Sequence, residues 1–331
     1  MPTVAIFGAT GAVGREMLRV LEARDFPAGP IRLLATARSA GTEMAFRGQS
    51  VVVEDIATAD LKGIDIAFLA AGGAASRELA PRLVERGAFV VDNSSAFRMD
   101  SDVPLVVPAI NGRLVAYKRH RLIANPNCST TILLMPLAPL HARFGLSKVV
   151  VSTYQAVSGA GQAGVRELER QIELHATGEP GSTEVFGLPI HLNLLPQIGP
   201  LGDDGFCQEE RKIVTETHKI LGDSSFTVVP TTVRVPTMRC HAESVYVETR
   251  QATDCERILA AWGGMPGLSI AGGCGMTRWP TPRELAGRDE TEVGRLRAAS
   301  ADGHCYSFYV VGDQLLRGAA LNAVEIGELL V

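Results

Sequence analysis

Val4-Ala5-Ile6-Phe7-Gly8-Ala9-Thr10-Gly11-Ala12-Val13-Gly14 reads as a buried strand that runs through a glycine turn into a helix. The strand is Val4 to Phe7, and the helix is marked by Val13, Met17, Leu18 and Leu21 at near-helical spacing as far as Arg24. Gly8, Gly11 and Gly14 let the backbone turn tightly and approach a pyrophosphate, which would sit on the positive end of the helix. A glycine-rich turn alone is weak evidence, and a plain strand-to-helix turn competes with it. At the head of a β-α-β pattern the nucleotide reading is much stronger.

That pattern continues. Strands are predicted at Ile31 to Leu34, Val51 to Val53, Ile64 to Ala70, Ala88 to Asp92 and Leu122 to Ala124, with a helix over Ala74 to Arg86. Strands alternating with helices imply a parallel sheet with ligands at the carboxyl ends of its strands. From about Ser147 the texture changes. Val149 to Val151 starts a strand, Gln162 to His175 and Glu209 to Leu221 read as helices, and Gly178 to Gly205 as a long loop. Phe226 to Val235, Glu243 to Thr249 and Tyr306 to Val311 read as strands, and Leu315 to Val331 as an apolar-rich helix. The fold class is α/β: an N-terminal Rossmann-type parallel-sheet domain, then an α+β domain with a mostly antiparallel sheet. The expected division is 1–126, with the helix at 314–331 packing back on it, and 127–313.

The chain has 331 residues, 46% of them apolar and 21% charged, so two soluble domains with separate cores are affordable by size alone. A formal net charge of −4 and no run of Lys/Arg argue against a nucleic-acid partner. No apolar stretch reaches the roughly 18 residues of a membrane span, and no basic leader precedes Val4, so a cytoplasmic location is expected. The six cysteines (128, 207, 240, 255, 274 and 305) form no Cys-x-x-Cys pair. Neither a disulfide framework nor a metal site is expected, and most of the thiols read as buried small apolar side chains.

An NAD site wants an acidic residue at the end of the second strand, whereas a 2′-phosphate wants cationic or hydroxyl donors. Here Ala35-Thr36-Ala37-Arg38-Ser39 offers Thr36, Arg38 and Ser39 and no carboxylate, which points to NADP, with an ordinary polar loop as the competing account. In Asn125-Pro126-Asn127-Cys128-Ser129-Thr130, Cys128 follows a strand and opens an apolar run. A helix start favours the thiolate, yet an inert buried thiol is the commoner fate of a lone cysteine, and the residues alone leave the two even. His241 lies just before a strand and can exchange protons near neutral pH. Arg234, seven residues earlier, can pair bidentately with a carboxylate. Spacing alone does not bring His241 to Cys128.

Taken together, Gly8 to Gly14, Asp92-Asn-Ser-Ser-Ala-Phe-Arg98, Asn125 to Thr130, Tyr154-Gln-Ala-Val-Ser-Gly-Ala-Gly161, Arg234 to Glu243 and Arg317-Gly-Ala-Ala-Leu-Asn322 resemble the aspartate-semialdehyde dehydrogenase family along the whole chain. The resemblance implies that Cys128 is the nucleophile, that Gln155 orients the acyl group and that His241 is the acid/base. It implies that Arg234 binds the substrate carboxylate and Glu209 its ammonium. Lys212 and Arg98 would hold phosphate, with Asn127 also in the substrate site. The cofactor site would take Gly8, Thr10, Gly11, Ala12, Val13, Gly14, Thr36, Arg38 and Ser39, together with Ser158, Gly159 and Asn322. From the residues alone, Arg98, Glu209 and Lys212 would read as solvated charges. One departure is Ala109, where the family often has Glu.

The implied activity is reversible reductive dephosphorylation of β-aspartyl phosphate to aspartate β-semialdehyde and phosphate, with NADPH as hydride donor and a cysteine thioester between. It would serve lysine (through diaminopimelate), methionine and threonine biosynthesis, with residues 127–313 as the catalytic and dimerisation domain of a homodimer, a tetramer being the alternative assembly. Two competing readings stand beside it. N-acetyl-glutamyl-phosphate reductase would give Glu209 no ammonium to hold, and a non-catalytic nucleotide-binding paralogue would need no reactive Cys128.

Overall fold

A computed structural model of the chain describes residues 1–175, 177–179, 181–274 and 278–331. It divides into two compact units, Met1–Asn127 with Ala319–Val331, and Cys128–Gly318. In the first unit, β1 (Val4–Phe7), β2 (Ile31–Ala35), β3 (Glu43–Phe46), β4 (Gln49–Asp55), β5 (Ile66–Leu69), β6 (Phe89–Asp92) and β7 (Leu122–Ala124) form one sheet. Its order is β3-β4-β2-β1-β5-β6-β7, parallel throughout except for the β3/β4 hairpin. β1 and β5 are buried at every residue, which is why they read as unbroken apolar runs rather than alternating ones. The helix Ala12–Ala23 follows β1, and the helix Leu321–Glu328 packs against it and against β6.

The hairpin strand β3 was not predicted. Its sequence Glu-Met-Ala-Phe buries only Phe46, and its two-residue turn has Arg47 in place of the usual Asn or Asp before Gly48. Both turn residues adopt positive φ, 48° and 74°. Arg47 is held there because its amide donates to Glu22 Oε1 at 2.9 Å and its guanidinium to Phe26 O at 2.6 Å.

In the second unit, β8 (Leu146–Gln155), β9 (Thr227–Arg234), β10 (His241–Thr249), β11 (Leu268–Ala271), β12 (Thr291–Ala298) and β13 (Cys305–Gly312) form a sheet ordered β11-β12-β13-β10-β8-β9. The β8/β10, β10/β13 and β12/β13 pairs are antiparallel, and the two edge pairs are parallel. The helix Cys128–Phe144 crosses this sheet and is buried without a break from Ser129 to Leu137, so it has no amphipathic face to read. Val149, Val151, Val245, Val247, Phe308 and Trp262 share its core, and Trp262 Nε1 donates to Pro136 O at 3.0 Å. β11, β12 and the helix Cys255–Trp262 were missed. β12 mixes Arg, Glu and Gly, and its pairing slips between Gly294 and Arg297, which breaks the two-residue alternation.

The C-terminal segment is shorter in α-helix than predicted, because a π-helical turn at Leu316–Ala320 precedes Leu321–Glu328. All six cysteines are free, but only Cys207 and Cys240 are fully buried, fewer than the composition led us to expect. No helix among the described residues is long and apolar enough to cross a membrane.

Candidate active site

The loop after β1 is a cradle made by leaving side chains out. Gly8 has φ +84°, and a Cβ there would lie 2.6 Å from Ala70 O. A Cβ on Gly14 would lie 2.3 Å from Gly8 O, so the turn closes only with glycine at both positions. No side chain caps the helix that begins at Ala12, which leaves the first-turn amides of Ala12, Val13 and Gly14 to a ligand. Thr10 Oγ1 donates to Ser39 Oγ at 3.2 Å, joining the loop to the end of β2. Thr36 and Arg38 are exposed there, and the Arg38 side chain has no partner among the described residues. This loop fits a nucleotide pyrophosphate.

Within the same unit, a network of amides fixes the chain that leads into Cys128. Asn125 Nδ2 donates to Asn93 Oδ1 at 2.9 Å, and Asn322 Nδ2 donates to Asn125 Oδ1 at 2.6 Å and to Val106 O at 2.9 Å. Arg98 donates to Asn125 O and Asn93 O, both at 2.9 Å, and is buried, as is Asn127. Asn322, expected at the cofactor, is thus a tie within this network.

In the second unit the strand register assembles a row. Antiparallel pairing sets His241 opposite Gln155, and parallel pairing sets Gln155 beside Arg234. Gln155 Nε2 donates to Glu209 Oε1 at 3.2 Å and lies 3.5 Å from His241 Nε2, while Thr153 Oγ1 donates to Gln155 Oε1 at 3.0 Å. The Ala156 amide donates to His241 Nδ1 at 3.1 Å, which leaves the proton of the neutral ring on Nε2. Burial, and then the Arg234 charge, push the His241 pKa down to about 3 against the pull of Glu209, so the ring is neutral near pH 7.

Arg234 donates through Nη1 to Ala156 O at 2.7 Å. Burial pushes its pKa down, opposed by Cys128 and Glu209, which joins the three in one electrostatic group. Cys128 is half-buried at the first residue of its helix. Gly318 backs it, because a Cβ there would meet Cys128 Cβ at 2.7 Å.

Glu209 Oε2 also accepts from Lys212 Nζ at 3.1 Å, so two residues read singly as solvated charges form one pair at the site. Ser158 and Gly159, expected at the cofactor, sit on the turn Val157–Ala160. Ser158 Oγ donates to Met238 O, and a Cβ on Gly159 would fall 2.8 Å from Arg234 Nη1 and 3.3 Å from the His241 ring. Sequence reading missed Thr153, Gly318 and Glu210. Glu210 accepts from the Cys207 and Thr232 amides at 2.8 and 3.0 Å, tying its helix to β9. Its capping-box spacing was legible, but the cap is a Cys rather than Ser or Thr.

Known proteins resemble the chain along its whole length. Residues 3–117 match the family model of the semialdehyde dehydrogenase NAD-binding domain, and residues 137–317 that of the semialdehyde dehydrogenase dimerisation domain. The class is therefore the two-part semialdehyde dehydrogenases. The chain is 44% identical to aspartate-semialdehyde dehydrogenase 2 of Vibrio cholerae, over 99% of this chain and 97% of that one. It is 41% identical to aspartate-semialdehyde dehydrogenase of Bacillus subtilis, over 99% and 96%. A crystal structure of Vibrio cholerae aspartate semialdehyde dehydrogenase II complexed with ASA superposes with a TM-score of 0.96 at 42% identity, covering 100% of this chain and 98% of that one. The chain belongs to the aspartate-semialdehyde dehydrogenase family.

Proposed function

We propose that the chain is an NADP-dependent aspartate-semialdehyde dehydrogenase, interconverting β-aspartyl phosphate and aspartate β-semialdehyde through a thioester on Cys128. The observation that carries this is the row of Gln155, Arg234 and His241 aligned by strand pairing, with Glu209 bonded to Gln155 at 3.2 Å. A nucleophile, a carboxylate binder, an ammonium binder and a proton donor are what an amino-acid acyl phosphate requires. Glu209 favours a free α-ammonium over an N-acetylated substrate, since a neutral amide would bring no positive charge to that carboxylate.

The Cys128 thiolate attacks the acyl carbon, the C–S bond forms and the C–O bond to phosphate breaks. Phosphate leaves with a proton from solvent, and the Nε2–H of neutral His241 is the hydrogen-bond donor offered to the reacting oxygens. In the free protein His241 therefore donates a hydrogen bond through Nε2 rather than accepting one, because Nδ1 already accepts from the Ala156 amide. Lys212 and Arg98 are the phosphate holders, Asn127 completes the substrate site, and Gln155 orients the acyl oxygen through its Thr153 bond. NADPH, when bound, supplies the hydride that reduces the thioester. Collapse of the resulting hemithioacetal oxyanion breaks the C–S bond and returns Cys128 as thiolate.

The free guanidinium of Arg38, with Thr36 and Ser39, supports NADP over NAD. The product aldehyde feeds lysine, methionine and threonine synthesis. A homodimer is supported by the outer face of the six-stranded sheet, where Tyr154, Tyr309 and the exposed Trp279 line a cavity of about 820 Å³. The test is a rapid-quench experiment without nucleotide. β-Aspartyl phosphate should release about one phosphate per chain in a burst and leave a thioester mass adduct on Cys128. No burst and no adduct would remove the thioester from the mechanism.

A further inference from the structure

Arg234 is gripped from one more direction than the reaction requires. The helix Gly161–His175 buries Glu167 (6% exposed) and Gln171 (5%), one turn apart. Both turn toward the backbone of the loop that follows. Glu167 accepts from the Val185 amide at 2.8 Å and the Phe186 amide at 3.3 Å. Gln171 Oε1 accepts from the Ile190 and His191 amides, each at 2.9 Å, and its Nε2 donates to Ser182 O at 2.6 Å. Five hydrogen bonds thus fasten a segment that contains no helix or strand. Leu195 adds two more, exchanging amide and carbonyl with Arg234 itself at 3.0 and 2.8 Å.

The fastened loop carries one ring to the site. The Arg234 guanidinium carbon lies 5.9 Å from the centre of the Phe186 ring, within cation–π range. Gly164 makes room for that ring, since a Cβ there would stand 2.9 Å from Phe186 Cζ. Beside it, Phe186, Val185, Leu188, Leu195 and Ile198 bound a cavity of about 470 Å³ in which Arg234 is the one charged lining residue among the described residues. Phe186 is therefore an apolar wall that keeps water from one flank of the guanidinium and blocks its rotation.

We propose that Glu167 and Gln171 are positioning residues that, through Phe186, hold Arg234 in the orientation that receives the substrate carboxylate. The inference rests on Arg234 being the carboxylate binder. Steady-state kinetics in the oxidative direction, with aspartate semialdehyde, phosphate and NADP, test it alongside melting curves. Phe186→Leu should raise KM for the aldehyde about tenfold with much less change in kcat or in KM for NADP, and Phe186→Tyr should recover most of that loss. Glu167→Gln, which replaces one acceptor oxygen by a donor, should shift KM the same way in its folded fraction.

In an Arg234→Lys background Phe186→Leu should add less than about twofold, because both act on one contact. Fully multiplicative effects would overturn the proposal. So would a raised KM in Arg234→Lys with none in Phe186→Leu and Glu167→Gln, which would leave Arg234 as carboxylate binder without this support. An unchanged KM in Arg234→Lys alone would instead remove Arg234 from the substrate site and this inference with it.

Discussion

In the loop after β1, selection works by leaving side chains out. At the ends of β8, β9 and β10 it works by bringing them in. The loop needs Gly8 and Gly14 because their missing Cβ atoms would occupy space held by Ala70 O and Gly8 O, and its ligand groups are backbone amides. The row needs Gln155, Arg234 and His241 because pairing aligns three strand ends, and its groups are side chains 79 and 7 positions apart in sequence. A backbone cradle is local and tolerates no added atom. A side-chain row is distributed, and each member can be removed with its neighbours left standing.

The largest expected effect follows from that difference. Cys128→Ala should lower turnover by on the order of 10⁴-fold or more while NADPH binding persists, since it removes the nucleophile and leaves the cradle whole. Substantial turnover in a preparation checked by mass would sink the nucleophile assignment. The converse is Gly14→Ala, whose Cβ meets Gly8 O at 2.3 Å. It should weaken NADPH by about a hundredfold, the scale of an overpacked contact, with alkylation of Cys128 unaltered. If nucleotide affinity held and Cys128 labelling changed, the division between the two regions would be wrong.

The same difference explains what could be read in the sequence. β1, the loop and the helix Ala12–Ala23 were legible because all their determinants lie within twenty residues. β5 and β6 were legible as buried apolar runs. The meeting of His241 with Gln155 was not, since nothing in either segment encodes the other's register. Resemblance named the residues, and only pairing brought them together. Glu209 and Lys212 illustrate the same limit. Each reads as a surface charge until the helix Gln208–Leu221 is seen to turn that face toward Gln155. The missed β3 and β12 failed for local reasons, an Arg in a turn that favours Asn and a register slip in a charged strand.

A smaller effect would sharpen the account of the cradle. Arg38→Ala should raise the dissociation constant of NADPH about tenfold and leave NADH nearly unchanged, the size of one charge-assisted phosphate contact. Isothermal titration with both nucleotides decides it. Equal losses for the two would mean that Arg38 reads something other than the 2′-phosphate.

The smallest effect concerns a side chain next to the row that the mechanism does not use. Glu243 lies two residues beyond His241 on the same face of β10, opposite Thr153, and is completely buried with neither carboxyl oxygen hydrogen-bonded among the described residues. Burial raises its pKa well above the usual 4.5, so the folded protein keeps the proton where the unfolded chain loses it. Below pH 4.5 both states are protonated and nothing is lost. As pH climbs above 4.5 toward the folded value, the unfolded state gains by ionising and stability falls.

His241 acts with the opposite sign. Its folded pKa of about 3 lies under the ordinary 6.5, so stability falls as pH drops from 6.5 toward 3. Glu243→Gln removes the first slope and leaves the second. The melting temperature at pH 8 minus that at pH 4 should therefore rise relative to the parent by about 3 °C, each kcal/mol being worth a few degrees in a chain of this size. Comparing two pH values in each protein cancels the pH-independent cost of a buried amide. An identical difference in parent and variant would mean that Glu243 ionises in the folded state or finds a partner there, and the row would then hold one more charge beside His241.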